Sequence, residues 1–253
     1  MIYDKLSVGL LGLLATEEAD ATDAQIARYV LAHAAELDDL SVKELAAACH
    51  VGTGSVSRFA REAGFGGFAE LRDAFAEASR KFERLEGAST DERGHALALR
   101  IASSIKRAAA TVDGAALTRL VADLASYDKV YAFGFLKAQA AALDLQVDLL
   151  MQGKYIGTCA SPSDQIDHIA RARSDELVVV FSYTGSYFDA RDLRESLARR
   201  DRPKIWMVCG SGRPLPPFVA DRLLFSSDQS RFGHPYQLEY VAGLITQEYA
   251  AIQ

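Results

Sequence analysis

Residues 41–72, with the sequence SVKELAAACHVGTGSVSRFAREAGFGGFAELR, decide how the N-terminal part of the chain folds. Ser41 and Glu44 have the spacing of a capping box, in which each side chain bonds a backbone amide at the start of a helix. Gly52 permits a tight turn, and a second helix is predicted over residues 54–63. Two short helices joined by a glycine-containing turn are typical of a helix-turn-helix unit.

The second of these helices has one apolar and one polar face. Val56 and Phe59 are predicted to face inward, and Thr53 is predicted to cap the helix. Hydroxyl and guanidinium groups bond phosphates and base edges, and arginine favours guanine. Spacing alone fits equally an ordinary helical hairpin with a solvated charged face. The outward face consists of Thr53, Ser55, Ser57, Arg58, Arg61 and Glu62.

Beyond spacing, the motifs closely resemble the N-terminal domain of the RpiR/MurR family of bacterial transcription regulators. The resemblance covers residues 22–76 and rests on Arg58-Phe59 and on the Gly-Phe-x-Gly-Phe-x-Glu-Leu-Arg run of residues 64–72. One departure is Gly52, where the family usually has serine. The resemblance implies binding to a double-stranded DNA operator, and the residues expected to contact DNA are Lys43, Thr53, Ser55, Ser57, Arg58, Arg61 and Arg72.

The chain begins with an apolar run at residues 6–15, which matches either a signal peptide or a first helix that packs on the domain. Asp4 and the acidic pair that follows the run favour the helix. Thr22 and Gln25 have the spacing of a further capping box. We therefore expect a cytoplasmic protein whose N-terminal third is a string of short helices.

Composition excludes several classes of protein. With 253 residues, 49% of them hydrophobic and 25% charged, the chain is neither disordered nor fibrous. No apolar run is long enough for a membrane span. The three cysteines lack a C-x-x-C pair, so they indicate reduced thiols rather than a zinc or redox site, and no metal or cofactor is predicted.

The balance of 28 basic to 34 acidic side chains argues against nucleic acid as a partner. The imbalance lies entirely in residues 1–80, which hold 7 basic and 13 acidic side chains, but residues 53–61 contain two arginines and no acid. A local basic face can still bind DNA, with few phosphate contacts.

The C-terminal two thirds alternate short apolar runs with helical patterns. This alternation predicts an α/β domain with a five-stranded parallel sheet between two helical layers, whose ligand lies at the carboxyl ends of the strands. The predicted domains are an all-α helix-turn-helix domain at 1–80, a linker and connecting helix at 81–112, and the α/β domain at 113–253. The predicted strands are 129–135, 155–160, 177–183, 205–209 and 222–226, and the predicted helices 94–111, 114–126, 137–152 and 163–172.

Two predicted strand ends carry small and hydroxyl-bearing residues and then a predicted helix. Such turns are often simple capping chemistry, but amides and hydroxyls at a helix start also form anion sites. The Ser-x-Thr-Gly run at residues 182–185 and the glycine that ends the first strand resemble the sugar isomerase (SIS) domain, which binds phosphosugars and is the effector sensor of RpiR/MurR regulators. The resemblance covers residues 113–227, and the expected effector-binding residues are Gly134, Lys137, Ser182, Thr184, Gly185 and Tyr187.

Both loops depart from the SIS pattern. The first, Gly-x-Gly-x-Ser in the family, has Leu136 and Ala138 at the second glycine and the serine, and Tyr187 replaces the last threonine of the second. Lys137 can offset the lost hydroxyls with its charge. Three outcomes therefore stay open for this domain: a phosphosugar effector, another anionic or polar metabolite, or a structural domain without a ligand.

Two further functional classes remain. An SIS-type isomerase or lyase needs a general base, and the candidates are His234 and Glu239, flanked by Arg231 and Tyr236, although His234 also fits a turn before a helix. An assembly protein would use its helices only to form oligomers. We expect a regulator rather than an enzyme, acting as a homodimer or tetramer because helix-turn-helix proteins normally read paired half-sites.

Overall fold

The computed structural model describes residues 10, 14, 21–34, 36, 37, 40–63, 65–80, 85–189, 193, 195–227 and 232–253. The chain divides into two compact units, the first built on Met1–Arg84 and the second on Leu85–Ala160 and Asp164–Gln253. No helix among these described residues is long and apolar enough to cross a membrane.

The first unit is all helical. Its helices are α1 (Thr22–Ala32), α2 (Val42–Ala48), α3 (Thr53–Glu62) and α4 (Phe68–Arg80). Each turns its apolar positions into one shared core, which supplies most of the stability of such short helices. The core includes Ile26, Val30, Leu45, Val56, Phe59, Leu71 and Phe75.

The helix caps predicted from the sequence of this unit are confirmed only in part. The capping box at Ser41 is confirmed: its Oγ accepts from the Glu44 amide at 3.3 Å, and the Glu44 carboxylate accepts from the Ser41 amide at 2.8 Å. The box predicted at Thr22 is wrong, because the N-cap is Ala21 and no side chain caps α1. The cap predicted at Thr53 is also wrong, since α3 starts one residue earlier than predicted and Gly52 becomes its N-cap.

Parts of the predicted N-terminal region lie outside the described residues. Of the predicted first helix at 6–15, Leu10 and Leu14 are described; both are helical, and Leu10 is fully buried in the core. The glycine predicted to stop α3, at position 64, is not among the described residues.

The second unit is an α/β domain in which a parallel sheet carries helices. Its elements in chain order are α5 (Thr90–Thr111), α6 (Gly114–Ser126), β1 (Lys129–Gly134), α7 (Lys137–Met151), α8 (Pro162–Arg171), β2 (Glu176–Phe181), β3 (Lys204–Cys209), β4 (Asp221–Leu224) and α9 (Tyr236–Ala250). The strands lie in the order β1-β2-β3-β4, each parallel to its neighbour.

Both faces of the sheet are covered, as the continuous apolar runs of the strands predict. Leu177, Val179 and Phe181 of β2 face a core shared with α6, α7 and α9. Val178 and Val180 face the opposite core, which is shared with α8. This alternation confirms the predicted three-layer αβα architecture.

The sheet has four strands among the described residues, not the five predicted. The run at 155–160 makes one isolated parallel bridge, in which Gly157 pairs with Tyr131 of β1. The Gly157 amide donates to Val130 O at 2.8 Å, and Ala132 N donates to Gly157 O at 2.9 Å. A side chain at Gly157 would come within 2.6 Å of the Tyr131 ring, so the run crosses β1 closely at one point rather than extending along it.

Two other predicted boundaries are corrected. The helix predicted at 94–111 begins four residues earlier, because Ser89 and Glu92 form a complete capping box that starts α5 at Thr90. The helix predicted directly after the Ser182 loop is absent from the described residues 183–189, 193 and 195–203, which form turns and bends. An anion site at that loop therefore cannot draw on a helix dipole within these residues.

Candidate functional site

Helix α3 presents the face that the sequence predicts. Val56 and Phe59 are fully buried, whereas Thr53, Arg58 and Arg61 are exposed and Ser55 and Ser57 are half-buried. The polar side chains thus line one side of a helix whose other side is fixed by the core, which is the arrangement that a major-groove reading helix requires.

Hydrogen bonds within α3 already engage some of these groups. Ser57 Oγ donates to Thr53 O at 3.1 Å, and Arg61 Nε donates to Ser57 O at 3.2 Å. Arg58 Nε lies 3.7 Å from Glu62 Oε1, with both side chains about half exposed or more. An exposed pair of this kind is weak, so the arginines stay available to a stronger anionic partner.

The start of α3 is open to an anion. Its N-cap, Gly52, has no side chain that could accept from the amides of the first turn. Uncapped amides at a helix start favour phosphate oxygens. Lys43 is exposed on α2, and Arg72, on α4, is half-buried with Nη2 3.5 Å from Asp73 Oδ1. All seven predicted DNA-contacting residues therefore belong to the first unit.

In the second unit, the strand ends meet at one edge of the sheet. Ser182 N donates to Val208 O at 3.0 Å, and Gly210 N donates to Tyr183 O at 3.1 Å. The hydroxyls of Tyr183 and Ser227, which follow β2 and β4, are hydrogen-bonded to each other. The segments after three of the four strands are thereby joined around the predicted effector loops.

The loop after β1 keeps the backbone conformation of a glycine at position 136, although Leu136 stands where the SIS pattern has its second glycine. Gly134 is required, because a Cβ there would lie 2.6 Å from Ala138 O. Leu136, at the position of the missing glycine, has φ 54° and ψ −117° and caps α7. This conformation is costly for a side chain with a Cβ, so the surrounding structure holds the loop in shape. Lys137 begins α7 and is exposed.

The second loop is turned partly inward. Ser182 is buried, Thr184 Oγ1 lies 2.6 Å from Ser186 Oγ, and Gly185 has φ 73°. Tyr187 is also buried; its hydroxyl donates to Gln165 Oε1 at 2.8 Å, and its ring stacks on Phe135 with centroids 4.1 Å apart. Burial raises the pKa of Tyr187 well above its ordinary value. The predicted contact between this hydroxyl and an effector therefore competes with an internal bond.

Sequence reasoning missed the side chain that organises this edge. Gln165, on α8, is fully buried, and its Nε2 lies within 3.0 Å of Gly134 O, within 2.8 Å of Gln139 Oε1 and within 2.7 Å of Cys159 O. Together with the bond from Tyr187, these contacts tie the first loop, the 157–160 segment and the second loop together. A lone glutamine on an amphipathic helix carries no sequence signal of such a role.

His234 is brought to the same edge. Its ring lies 4.4 Å from that of Tyr183, the residue after Ser182, so the structure supplies a proximity that sequence spacing left open. Burial, with the charge of Lys137, lowers the pKa of His234 to about 4. His234 also precedes Pro235, the N-cap of α9, as the turn interpretation predicts.

The other residues predicted for acid–base chemistry are Glu239, Tyr236 and the arginine at position 231. Burial, with the charge of Asp144, raises the pKa of Glu239 on α9. Tyr236 is exposed, and the predicted arginine at 231 lies outside the described residues. The described side chains hold no group of three or more potential metal ligands.

Known proteins match both the first unit and most of the whole chain. Residues 14–81 match the model of the rpiR-family helix-turn-helix domain. An uncharacterized HTH-type transcriptional regulator of Caldanaerobacter subterraneus subsp. tengcongensis is 25% identical over 220 residues, which cover 83% of this chain and 77% of that protein.

Solved structures share the fold. The Vibrio vulnificus NanR protein, complexed with ManNAc-6P, matches with a TM-score of 0.58 and 16% identity over 98% of this chain and 92% of that one. The sugar isomerase domain of an RpiR transcription factor from Sphaerobacter thermophilus matches with a TM-score of 0.50 and 16% identity, covering 63% of this chain and 90% of that one. The second unit therefore has the SIS fold.

The strained backbone at Leu136 generates one prediction. Leu136→Gly and Leu136→Ala remove nearly the same side chain, but alanine keeps the Cβ that the positive φ disfavours. We expect the glycine variant to be the more stable by about 1–2 kcal/mol, measured by urea denaturation. An alanine variant of equal or greater stability would show that the loop is not strained.

His234 generates a second prediction. Because its pKa is lowered to about 4 in the folded protein, the unfolded chain takes up the proton first as the pH falls below about 6.5. The contribution of His234 to stability should therefore be constant above that pH and decline by up to about 3 kcal/mol as the pH falls to 4. His234→Gln should flatten this part of the curve of unfolding free energy against pH; parallel curves would contradict the assignment.

Proposed function

We propose that the chain, whose residues 14–81 match the rpiR-family helix-turn-helix domain, is a ligand-responsive, DNA-binding regulator of bacterial transcription of the RpiR/MurR type. The observation that carries the proposal is the exposed hydroxyl and arginine face of α3 within an rpiR-family domain, joined in one chain to an SIS-type α/β unit. The protein acts in the cytoplasm on double-stranded operator DNA.

Helix α3 reads the major groove. Arg58 and Arg61 donate to guanine edges or phosphates, Ser55 and Ser57 contact bases at shorter range, and Thr53 lies at the open helix start. Lys43 and Arg72 contact phosphates on either side. In this assignment the weak Arg58–Glu62 pair opens on binding, because a charged phosphate or a bidentate guanine contact replaces it.

The second unit senses an anionic metabolite, for which a phosphosugar is the first candidate because NanR, which shares the fold, is complexed with ManNAc-6P. Ser182, Thr184 and Gly185 supply hydroxyl and amide donors at the second loop. Lys137 supplies positive charge beside Gly134, where the first loop has lost its hydroxyl. Tyr187 acts mainly by shaping the second loop, since its hydroxyl bonds Gln165.

A sugar-phosphate isomerase or lyase is the second candidate function. The observation in its favour is the closeness of His234, a base that stays neutral above about pH 4, to the Ser182 loop. Against it, an isomerase has no use for a helix-turn-helix domain. The two functions differ in a direct assay, because an enzyme would interconvert aldose and ketose phosphates without DNA.

The DNA proposal predicts a selective loss of binding in two variants. Arg58→Ala and Arg61→Ala should each weaken binding to the operator by about 1–3 kcal/mol, or about ten- to a hundred-fold, measured by fluorescence anisotropy on DNA from upstream of the gene. Arg200→Ala, an exposed arginine of the second unit, is the matched control.

An arginine that contacts a phosphate and one that contacts a base differ in their effect on the salt dependence of DNA binding. A variant that removes a phosphate contact should reduce the slope of log K against log salt by about 0.9, whereas one that removes a base contact should relax sequence preference instead. Full binding by both variants, with folding intact, would overturn the assignment; no binding by the wild type would favour the assembly protein.

The effector proposal predicts a thermal shift. ManNAc-6P at about a hundred times its Kd should stabilise the wild type by about 2.7 kcal/mol, and Ser182→Ala or Lys137→Ala should remove most of the shift. Lys129→Ala is a matched control, because Lys129 begins the same strand that ends before Lys137. An unchanged shift in both site variants would show that the ligand binds elsewhere, and inorganic phosphate tests whether the anion alone suffices.

A further inference from the structure

Residues between β4 and the first turn of α9 contact both the loop after β2 and helix α5. Two of them contact Tyr183, which directly follows Ser182: the hydroxyl of Ser227 is hydrogen-bonded to that of Tyr183, and the ring of His234 meets the Tyr183 ring edge-on at 4.4 Å. Tyr183 is buried, so a change in the shape of the loop moves a side chain that is packed on these neighbours.

Three more residues of the same region contact α5, each in a different way. One bonds a hydroxyl near the end of the helix, one bonds a backbone carbonyl, and one places a ring under a guanidinium group. The contacts are Ser226 N to Thr111 Oγ1 at 2.8 Å, Gln237 Nε2 to Ser104 O at 2.7 Å, and Arg100 Cζ to the centroid of the Phe232 ring at 5.4 Å. We call Ser226, Ser227, Phe232, His234 and Gln237 the bridge residues.

The bridge residues contact a single face of α5. Arg100, Ser104 and Thr111 have the spacing i, i+4 and i+11, so at about 100° per residue they lie within about 40° of one another around the helix. At about 1.5 Å per residue, the contacts extend over about 16 Å of helix. A displacement of the bridge residues therefore acts on α5 along much of its C-terminal half.

The buried contact between α9 and α5 is incompletely satisfied. Gln237 is fully buried, and its Oε1 has no hydrogen-bond partner among the residues that the structure describes. A buried acceptor without a partner raises the free energy of the arrangement that contains it. A second position of α5 that brought a donor to this oxygen would recover that free energy, and packed helices switch between discrete positions of this kind.

We propose that the bridge residues transmit the state of the effector loop to α5 and, through α5, to the DNA-binding unit. An anion held at Ser182 and Thr184 changes the position of Tyr183, and the contacts of Tyr183 with Ser227 and His234 pass that change to α5. Helix α5 begins at Thr90, directly after the residues 85–89 that follow the first unit in the chain. Movement of α5 therefore displaces the chain that carries α3. This inference rests on the proposed function and adds the route that couples its two sites.

A double-variant cycle on operator affinity tests this route without knowledge of the effector. Tyr183→Phe removes the bond to Ser227, and Thr111→Val removes the acceptor of Ser226 N while keeping the shape of the side chain. Each variant should change the Kd for operator DNA by about three- to thirty-fold, measured by fluorescence anisotropy. The double variant should change it no further than the larger single effect, because both changes interrupt one route.

Thr118→Val is the matched control for the threonine. Thr118 Oγ1 donates to Gly114 O at 3.0 Å on α6, as Thr111 Oγ1 donates to Arg107 O at 2.7 Å on α5, so the two changes remove equivalent bonds within a helix. Thr118→Val should leave the operator Kd unchanged, and its combination with Tyr183→Phe should behave like Tyr183→Phe alone.

An exposed position on α5 repeats the test with little risk to folding. Arg100→Gln removes the contact with Phe232 and should also change the operator Kd without adding to Tyr183→Phe. Arg107→Gln, at an exposed position of the same helix, is its control and should have no effect.

Two results would overturn the route while leaving the proposed function intact. One is an operator Kd that Tyr183→Phe does not change; the other is a set of effects that multiply independently in the double variants. Failure of the wild type to bind operator DNA is a separate result, because it would contradict the proposed function itself. Melting temperatures of all variants establish that each is folded.

Discussion

The carboxyl edge of the sheet depends on one buried amide, that of Gln165. A fully buried side-chain amide must find hydrogen-bond partners or lose free energy, and Gln165 finds its partners in loops that are far apart in sequence. The hydrogen bonds of this one side chain thereby fix the relative positions of the loop after β1 and the loop after β2. Because the partners include two backbone carbonyls, the constraint acts on loop shape and tolerates changes in loop side chains.

That tolerance explains how this unit keeps the SIS fold with altered loops. Leu136 adopts a backbone conformation that suits glycine, and Tyr187 fills the place of a smaller hydroxyl residue with a ring that packs on Phe135. Both residues are held by packing rather than by their own preferences. The hydroxyls that the family places here are partly replaced by an aromatic pair and by the charge of Lys137, so the edge is more apolar and more cationic than the family motif implies.

Sequence patterns predicted those features that arise from local physics. Capping at Ser41, the buried face of α3 and the four paired strands all follow from periodicity within one segment. The wrong or missing predictions concern features that depend on contacts with other segments of the chain. Residues 155–160 have the composition of a strand, but the approach of Gly157 to Tyr131 limits pairing to one bridge. The role of Gln165 and the contact between His234 and Tyr183 depend on segments that are distant in the chain, and a single sequence does not reveal such contacts.

The modest charge of α3 also affects how such a protein would search a chromosome. A strongly basic domain spends much of its time bound to arbitrary sequence, because every stretch of duplex offers the same phosphates. A unit with two arginines on α3, one of which pairs with Glu62, would dissociate quickly from such stretches. More of its copies would remain free in solution, so that occupancy of the operator would follow the concentration of free protein closely.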